Sequence, residues 1–267
     1  MSQQIPRNNV LGVGISALDL ALAQDVIFKA VEEDGFHGFI TVTGVHGVVE
    51  AQKSEELKRI HNRSFLSTPD GMPMVWLGKL NGFSEMDRVY GPELMLEIVE
   101  ESSKRDLKHY FFGGAEGVAE KLKIKLCEKF KGVEVVGINS PPFRPMNEEE
   151  ENELYQELQR LKPHFFWVGL STPKQERFMY NFLQKYSDLT NSWGHGMVMI
   201  GVGAAFDFHT GIVRQAPYWI QRSGFEWLFR VFQDPKRLRK RYVHCISYFL
   251  PRIISQLSNI KRYETLK

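Results

Sequence analysis

The sequence predicts an α/β fold in which a largely parallel sheet is covered by helices on both faces. Short apolar, β-branched segments alternate with amphipathic segments between residues 39 and 202. Each apolar segment runs into a short turn and then into a helical pattern, which is the order of parallel βαβ units. At 267 residues, with 43% hydrophobic residues, the chain is long enough for one such domain with an appendage.

The predicted elements follow one another with short connections. Strands are predicted, from short apolar runs, at 39–43, 65–67, 109–112, 133–138, 165–170 and 197–202. Helical spacing is found at 47–61, 93–104, 118–130, 148–161 and 175–186. Asn147 is predicted to cap the helix at 148–161, whose acidic first turn suits the helix dipole. In such sheets ligands bind beyond the carboxyl ends of the strands, so the polar residues that follow the strands are candidate site residues.

The composition changes after Pro217. Residues 218–267 contain 11 Lys or Arg and 3 Asp or Glu, whereas the preceding 217 residues have a net charge of −6. Segments 223–232 and 235–263 look helical and aromatic, and Pro251 is predicted to kink or interrupt the second helix. We therefore predict two parts, a catalytic α/β domain at 1–216 and a basic helical appendage at 217–267.

The basic appendage has two interpretations. It contacts an anionic surface, such as phospholipid headgroups, a lipid diphosphate or nucleic acid, or it packs on the body with a solvated basic face. No run approaches the roughly 20 apolar residues of a spanning helix, and the N-terminus lacks the pattern of a signal peptide. Cys127 and Cys245 indicate neither a disulfide framework nor a zinc site, and they fit a reducing cytoplasm.

Asp70 and two glycines are the first candidate site residues. Asp70 lies in the motif T-P-D-G directly after a predicted strand, where a carboxylate is suited to act as a general base on a hydroxyl. An Asp-Gly pair is also common in plain turns. Gly113 and Gly114 precede a helix, where bare backbone amides suit phosphate or ribose oxygens. The alternative for the two glycines is a tight βα turn without a ligand.

Other strand ends carry further polar candidates. Gln175 follows the strand at 165–170 and is suited to bond a base, ribose or sugar hydroxyl, although it also fits an ordinary first helical turn. Gly203 allows close approach of a ligand, and Asp207 lies four residues later. His46 lies near the end of the first strand, and Arg214 is a candidate anion contact. One Asp and one His are too few for a metal site, and no Asp-x-Asp pair occurs, so no metal is expected.

The order of these motifs resembles the WecG/TagA/CpsF glycosyltransferases. The resemblance is carried by these runs of sequence: T-P-D-G-M-P-M-V-W from Thr68, D-R-V-Y-G-P-E-L-M from Asp87, F-F-G-G from Phe111, S-T-P-K-Q-E from Ser171, G-V-G-A-A-F-D-F-H-T-G from Gly201, R-Q-A-P-Y-W from Arg214, E-W-L-F-R from Glu226 and D-P-K-R-L from Asp234. It covers roughly residues 10 to 245.

The resemblance implies a Rossmann-like fold of the GT-E type and a membrane-contacting C-terminal appendage. It also implies inverting, metal-independent transfer from a UDP-sugar to a polyprenyl-diphosphate-linked saccharide, without a cofactor. The sugar is left open among N-acetylmannosamine, its uronic acid, glucuronic acid and glucose. The implied location is the inner face of the bacterial plasma membrane. The implied partner there is an anionic lipid surface, and no binding of nucleic acid is implied. Whether the protein forms a homo-oligomer is left open.

The resemblance also assigns roles to residues. Asp70 matches the proposed base, Arg88 an arginine that holds the leaving diphosphate, and Gln175 a donor-pocket residue. Thr43 is taken as the strand-end threonine, although the family usually has Thr-x-Asn where this chain has T-V-T-G. The appendage arginines implied to grip the acceptor diphosphate are Arg230, Arg237 and Arg241.

Two alternatives from other classes of protein remain open. The Gly113-Gly114 turn also suits an NAD(P)-dependent oxidoreductase, although it lacks the G-x-G-x-x-G spacing. The basic appendage also suits a non-enzymatic module that binds membranes or nucleic acid.

Overall fold

The computed structural model describes residues 5–265 and confirms the α/β class. The strands are β1 (Arg7–Val10), β2 (Val13–Ser16), β3 (His37–Thr43), β4 (Leu66–Pro69), β5 (Lys108–Gly113), β6 (Glu134–Asn139), β7 (Phe165–Gly169) and β8 (Met197–Gly201). The helices are α1 (Leu20–Glu32), α2 (Val45–Ala51), α3 (Glu55–Arg63), α4 (Met72–Leu80), α5 (Gly91–Ser102), α6 (Val118–Lys129), α7 (Glu148–Leu161), α8 (Lys174–Lys185), α9 (Ala205–Thr210), α10 (Tyr218–Arg222), α11 (Glu226–Gln233) and α12 (Pro235–Leu257).

Six strands form one sheet with the order β4-β3-β8-β7-β5-β6, while β1 and β2 form an antiparallel pair. The pairings of β3 with β8, β8 with β7, β7 with β5, and β5 with β6 are all parallel. Strand β8 is buried along its whole length, which explains its continuous apolar sequence, because central strands of parallel sheets have helices on both faces.

The chain divides into two compact units. The first unit consists of Ala21–Thr41 and Gly91–Val213, and the second of 5–20, Val42–Tyr90 and 214–265. In the first unit the core is aromatic: the rings of Tyr110 and Phe166 stack at 5.0 Å, and those of Phe112 and Phe178 at 4.5 Å. These compact units do not test the functional boundary predicted between residues 216 and 217, which stays a prediction.

The core of the second unit joins its N-terminal hairpin to helix α12. Cys245, Phe249 and Ile253 of α12 are buried in one cluster with apolar residues of β1, β2, α2 and α4. The side-chain amide of Gln256 accepts from the Leu11 N–H at 2.8 Å and donates to the Asn9 carbonyl at 2.8 Å. Helix α12 is therefore part of the core of this unit, which agrees with the packed interpretation of the appendage.

The structure corrects several sequence-based boundaries. The segment predicted as one helix at 47–61 is two helices, because Ser54 caps the start of α3 by accepting from the Leu57 N–H. Pro251 does not interrupt α12, and that helix ends at Leu257 and not at residue 263. Elements that the sequence reading missed are β1, β2, α1, α4, α9 and α10. The Asn147 cap is confirmed, with Glu150 completing a capping box.

Candidate active site

Asp70 lies directly after β4 in the second unit, where neighbouring backbone fixes its position. Its N–H donates to the Thr43 carbonyl at 3.1 Å, and the carbonyl of the preceding Pro69 accepts from the Val89 N–H at 3.0 Å. A Cβ on Gly44 would lie 2.7 Å from the Asp70 carbonyl oxygen. The absence of a side chain at Gly44 therefore lets the end of β3 approach Asp70 closely.

The Asp70 carboxyl is partly exposed and surrounded by charges. The net pKa of this carboxyl is raised to about 6: burial is the largest cause, Arg88 and Arg230 oppose the rise, and Glu226 adds to it. Within the described residues the carboxyl takes part in no ion pair within 4.0 Å. A carboxylate with a pKa near 6 and an accessible oxygen is suited to accept a proton at neutral pH.

Arg88 is buried and held on three sides. Its Nη1 donates to the Gln221 side chain at 3.1 Å, and its Nη2 is paired with Glu226. The guanidinium carbon lies 4.1 Å from the centre of the Tyr90 ring. Among residues 5–265, the buried Nε has no hydrogen-bond acceptor. The guanidinium is thus fixed in orientation while its Nε–H is not hydrogen-bonded within the described residues.

A second ion pair lies close by in sequence. Asp87 accepts from Arg222 at 2.7 Å, and both side chains are more than a third exposed. The same Asp87 carboxylate accepts from the Arg88 N–H at 2.7 Å. Helices α10 and α11 are thus each tied by an ion pair to the segment that carries Arg88.

His46 and Arg241 form a further part of this cluster. Burial and then the charge of Arg241 lower the pKa of His46 to about 4, so its ring is neutral at pH 7. Arg230 also lowers this pKa, as it does that of Asp70. The Nε of Arg241 is buried and has no acceptor within the described part of the chain. Arg230 therefore acts electrostatically on both His46 and Asp70, whereas Arg241 acts on His46.

The remaining predicted residues of this unit are placed differently. The Thr43 side chain is fully buried, and its hydroxyl accepts from Ser67 at 2.9 Å, so its contact with Asp70 is through the backbone. Arg237 is exposed and pairs with Asp234 at 2.7 Å. Arg214 is exposed, and its carbonyl accepts from Gln233. Neither Arg214 nor Arg237 has an ion pair or hydrogen bond with Asp70 within residues 5–265.

The first unit has its own polar cluster at the start of α8. Gln175 is buried; its Oε1 accepts from the Gly203 N–H at 3.1 Å and its Nε2 donates to Glu176 at 3.2 Å. Thr172 also donates to Glu176, at 2.8 Å. Burial raises the pKa of the Glu176 carboxyl, and its Oε2 has no partner within the described residues. Gln175 and Gly203 are thus brought together, as two strand-end residues.

The glycines of the same unit permit close backbone contacts. Gly113 has a φ of +113°, and a Cβ there would lie 2.7 Å from the Gly169 carbonyl oxygen. The N–H of Gly114 donates to that same carbonyl at 3.0 Å. Asp207 lies in the first turn of α9, and its carbonyl accepts from the Ile212 N–H. The Gly114 amide therefore already has a backbone acceptor, the Gly169 carbonyl.

Sequence reasoning missed Glu226, Gln221 and Tyr90. Glu226 is one of three acidic residues among 11 basic ones in 218–267, and this isolation was the signal that could have singled it out. Gln221 and Tyr90 carry no comparable signal. Among the described residues, no group of three or more His, Cys, Asp or Glu is placed to hold a metal ion. No helix in this part of the chain is long and apolar enough to span a bilayer.

Comparison with known proteins gives a match over nearly the whole chain. The model of the glycosyl transferase WecG/TagA/CpsF family matches residues 8–263. A protein of Bacillus spizizenii named N-acetylglucosaminyldiphosphoundecaprenol N-acetyl-beta-D-mannosaminyltransferase is 23% identical over 191 residues, which are 72% of this chain and 69% of that protein. A protein of Bacillus subtilis strain 168 with the same name is 23% identical over 172 residues, 64% of this chain and 62% of its own length.

Proposed function

This chain belongs to the WecG/TagA/CpsF family of glycosyl transferases, and from that premise we propose which sugar it transfers, to what acceptor and with which residues. The protein is thus an enzyme, a glycosyltransferase. We take the donor to be a UDP-sugar and the acceptor to be a saccharide linked to polyprenyl diphosphate. The names of the two relatives make N-acetylmannosamine the first candidate sugar and N-acetylglucosaminyl-diphosphoundecaprenol the first candidate acceptor.

In the proposed reaction Asp70 is the base. Its carboxylate takes the proton of the acceptor hydroxyl, whose oxygen attacks the anomeric carbon of the donor from the face opposite the diphosphate. The bond between that carbon and the diphosphate oxygen breaks, and UDP leaves with the electron pair, so the anomeric configuration inverts. Negative charge grows on the departing diphosphate, and Arg88 is the group that we assign to stabilise it.

The observation that carries the proposal is the environment of Asp70. A partly exposed carboxyl with a pKa of about 6 follows a strand end and lies among Arg88, Arg230 and Glu226. Such perturbed carboxyls are concentrated at functional sites. A structural turn Asp would bond its own backbone, whereas the Asp70 carboxyl has no such bond among residues 5–265.

We propose that the appendage binds the anionic lipid surface in which the acceptor is embedded. Helices α10 to α12 expose several large apolar side chains: Tyr218, Trp219, Phe225, Phe232, Val243, Leu250 and Ile254. Exposed basic side chains accompany them, including Lys236, Arg239 and Lys240. A surface that is both apolar and basic is typical of elements that lie in a membrane interface. The proposed location is the inner face of the plasma membrane.

The alternatives left open by the sequence do not fit the family. The family is one of glycosyltransferases, so an NAD(P)-dependent oxidoreductase and a non-enzymatic binding module are both wrong as primary functions. The roles of Gln175, Gly203, Asp207, Gly113 and Gly114 toward the donor remain predictions, as do those of Thr43, His46, Arg214, Arg237 and Arg241.

A transfer assay tests the proposal. UDP-linked N-acetylmannosamine, its uronic acid, glucuronic acid and glucose are each offered with a short-chain polyprenyl-diphosphate N-acetylglucosamine, and products are read by mass. We expect one sugar to be transferred, and we expect Asp70→Asn to lower kcat by about 10²–10⁴, the usual contribution of a general base. The matched control is Asp25→Asn, which removes an exposed carboxylate paired with Lys29. Wild-type turnover in Asp70→Asn would rule out the assigned base.

A further inference from the structure

The ion pair between Arg88 and Glu226 takes no part in the proposed transfer steps. This ion pair joins Arg88 to helix α11, whose Glu226 lies 138 positions later in the sequence. The side chain of Arg88 is 3% exposed and that of Glu226 is 14% exposed. Buried ion pairs contribute little net stability, because desolvation of both charges offsets their attraction. Stability alone therefore does not explain this ion pair.

We propose that Glu226 is a positioning residue for the transfer reaction, which orients the Arg88 guanidinium toward the departing diphosphate and keeps it from pairing with Asp70. This inference rests on the proposed function. Glu226 itself touches neither substrate in this scheme. It acts through Arg88.

The first support is the direction in which Arg88 is held. Gln221 and Glu226 accept from its two terminal nitrogens, and Tyr90 covers one face. The donor left without an acceptor within residues 5–265 is the buried Nε–H. Arginine commonly binds phosphate through two parallel N–H groups. The Nε–H is therefore the guanidinium donor that we assign to the diphosphate.

The second support is the proximity of opposite charges around Asp70. The groups that act on its carboxyl are Arg88, Glu226 and Arg230, and the Tyr90 phenol is coupled to the same three residues and Asp70. An opposite charge within about 4–6 Å favours the ionised form of a carboxylate, so an ion pair between Arg88 and Asp70 would lower the pKa of Asp70. Such a pair would make the carboxylate a weaker base and would occupy the guanidinium. Glu226 holds Arg88 away from this arrangement.

The test compares Glu226→Gln with a matched variant, Asp87→Asn. Glutamine keeps the size of Glu226 but removes its charge. Asp87→Asn breaks the ion pair between Asp87 and Arg222 of α10. This variant therefore reports the effect of loosening α10 and α11 without removing the charge of Glu226. Both variants are compared with wild type by pH–rate profiles and by ¹³C NMR titration of the Asp70 carboxyl in the ligand-free protein.

We expect Glu226→Gln to lower kcat about tenfold at pH 8 and to move the acid limb of kcat/KM, and the Asp70 titration, to lower pH. In wild type the carboxylate of Glu226 raises the pKa of Asp70, and this effect is lost in the variant. In the variant Arg88 is also free to pair with Asp70, which lowers the pKa of Asp70 further. Glu226→Asp should restore part of the rate. Asp87→Asn should leave both the acid limb of kcat/KM and the Asp70 titration at the wild-type pH.

Two outcomes overturn the inference: an Asp70 titration that is the same in wild type and Glu226→Gln, or an equal shift in Asp87→Asn. Failure of the proposed function is seen separately, as wild-type protein that transfers no sugar from any of the UDP donors. The NMR titration needs no substrate, so it decides the effect of Glu226 on Asp70 in that case as well.

Discussion

At the scale of single residues, the surroundings of Asp70 change the acidity of its carboxyl group. Burial favours the neutral acid, while Arg88 and Arg230 favour the carboxylate, and the balance is a pKa of about 6. The same burial makes the ionised form costly in the folded protein. A residue placed for catalysis is in this way expected to lower stability.

The cost at Asp70 leads to a prediction about stability. Asn is neutral at every pH, so Asp70→Asn should be more stable than wild type at pH 8, by about 1 to 2 kcal/mol for a pKa raised by about two units in a partly exposed group. The folded pKa is raised from 3.8 to about 6. The difference should therefore be complete above pH 6 and should vanish as the pH falls below 3.8. Urea unfolding at several pH values measures it, and a constant difference across pH would contradict it.

At the scale of elements, α12 shows how packing overrides local preference. A proline inside a helix removes one hydrogen bond and its ring crowds the preceding turn, yet α12 continues through Pro251 to Leu257. Phe249 and Ile253 lie on either side of Pro251, and both are buried in the core of the second unit. We attribute the continuity of α12 through Pro251 to the burial of these two side chains.

This packing predicts unequal effects for two neighbouring residues. Phe249 is 5% exposed and Leu250 is 51% exposed. Phe249→Ala should lower the free energy of unfolding by about 3 to 5 kcal/mol, as expected for a truncated core aromatic. Leu250→Ala is the control and should change it by about 0.5 kcal/mol or less. Chemical denaturation measures both, and equal effects would mean that α12 does not pack as described.

At the scale of the whole molecule, charge and exposed apolar surface are unevenly distributed. Residues 218–267 have a charge of +8 in a protein whose net charge is +2. Exposed aromatic residues, among them Trp219, Phe225 and Phe232, lie in the same segment. Electrostatic attraction to anionic lipid and burial of aromatic rings at the interface reinforce each other.

This distribution predicts how the protein binds vesicles. Replacing Trp219 and Phe232 together by Ser should weaken binding to phosphatidylglycerol vesicles about tenfold or more, because each removes apolar area from the interface. The control replaces Ile124 and Phe143, which are also exposed but lie outside 218–267, and should leave binding unchanged. Sedimentation at low and high salt measures both, and binding should weaken as salt screens the charges. Equal loss in the control pair would contradict the proposed surface.

Much of the architecture could be read from local pattern. The apolar runs gave the strands of the main sheet, Asn147 gave the start of α7, and the position of Asp70 after β4 followed from its neighbours. Such features depend on periodicity and on residues a few positions apart, which the sequence displays directly. The β1–β2 hairpin escaped this reasoning, because its turn places Leu11 at a φ of +52° and Gln256 bonds the Leu11 N–H.

The sequence by itself therefore determined the fold class, the order of the main elements and a carboxylate at a strand end. Only the tertiary structure decided the partners of that carboxylate. Glu226, Gln221 and Arg230 reach the Arg88–Asp70 region from helices more than 130 positions away. The physical reason is that charge acts through space: a pKa or an ion pair depends on which faces meet, and no local pattern records that.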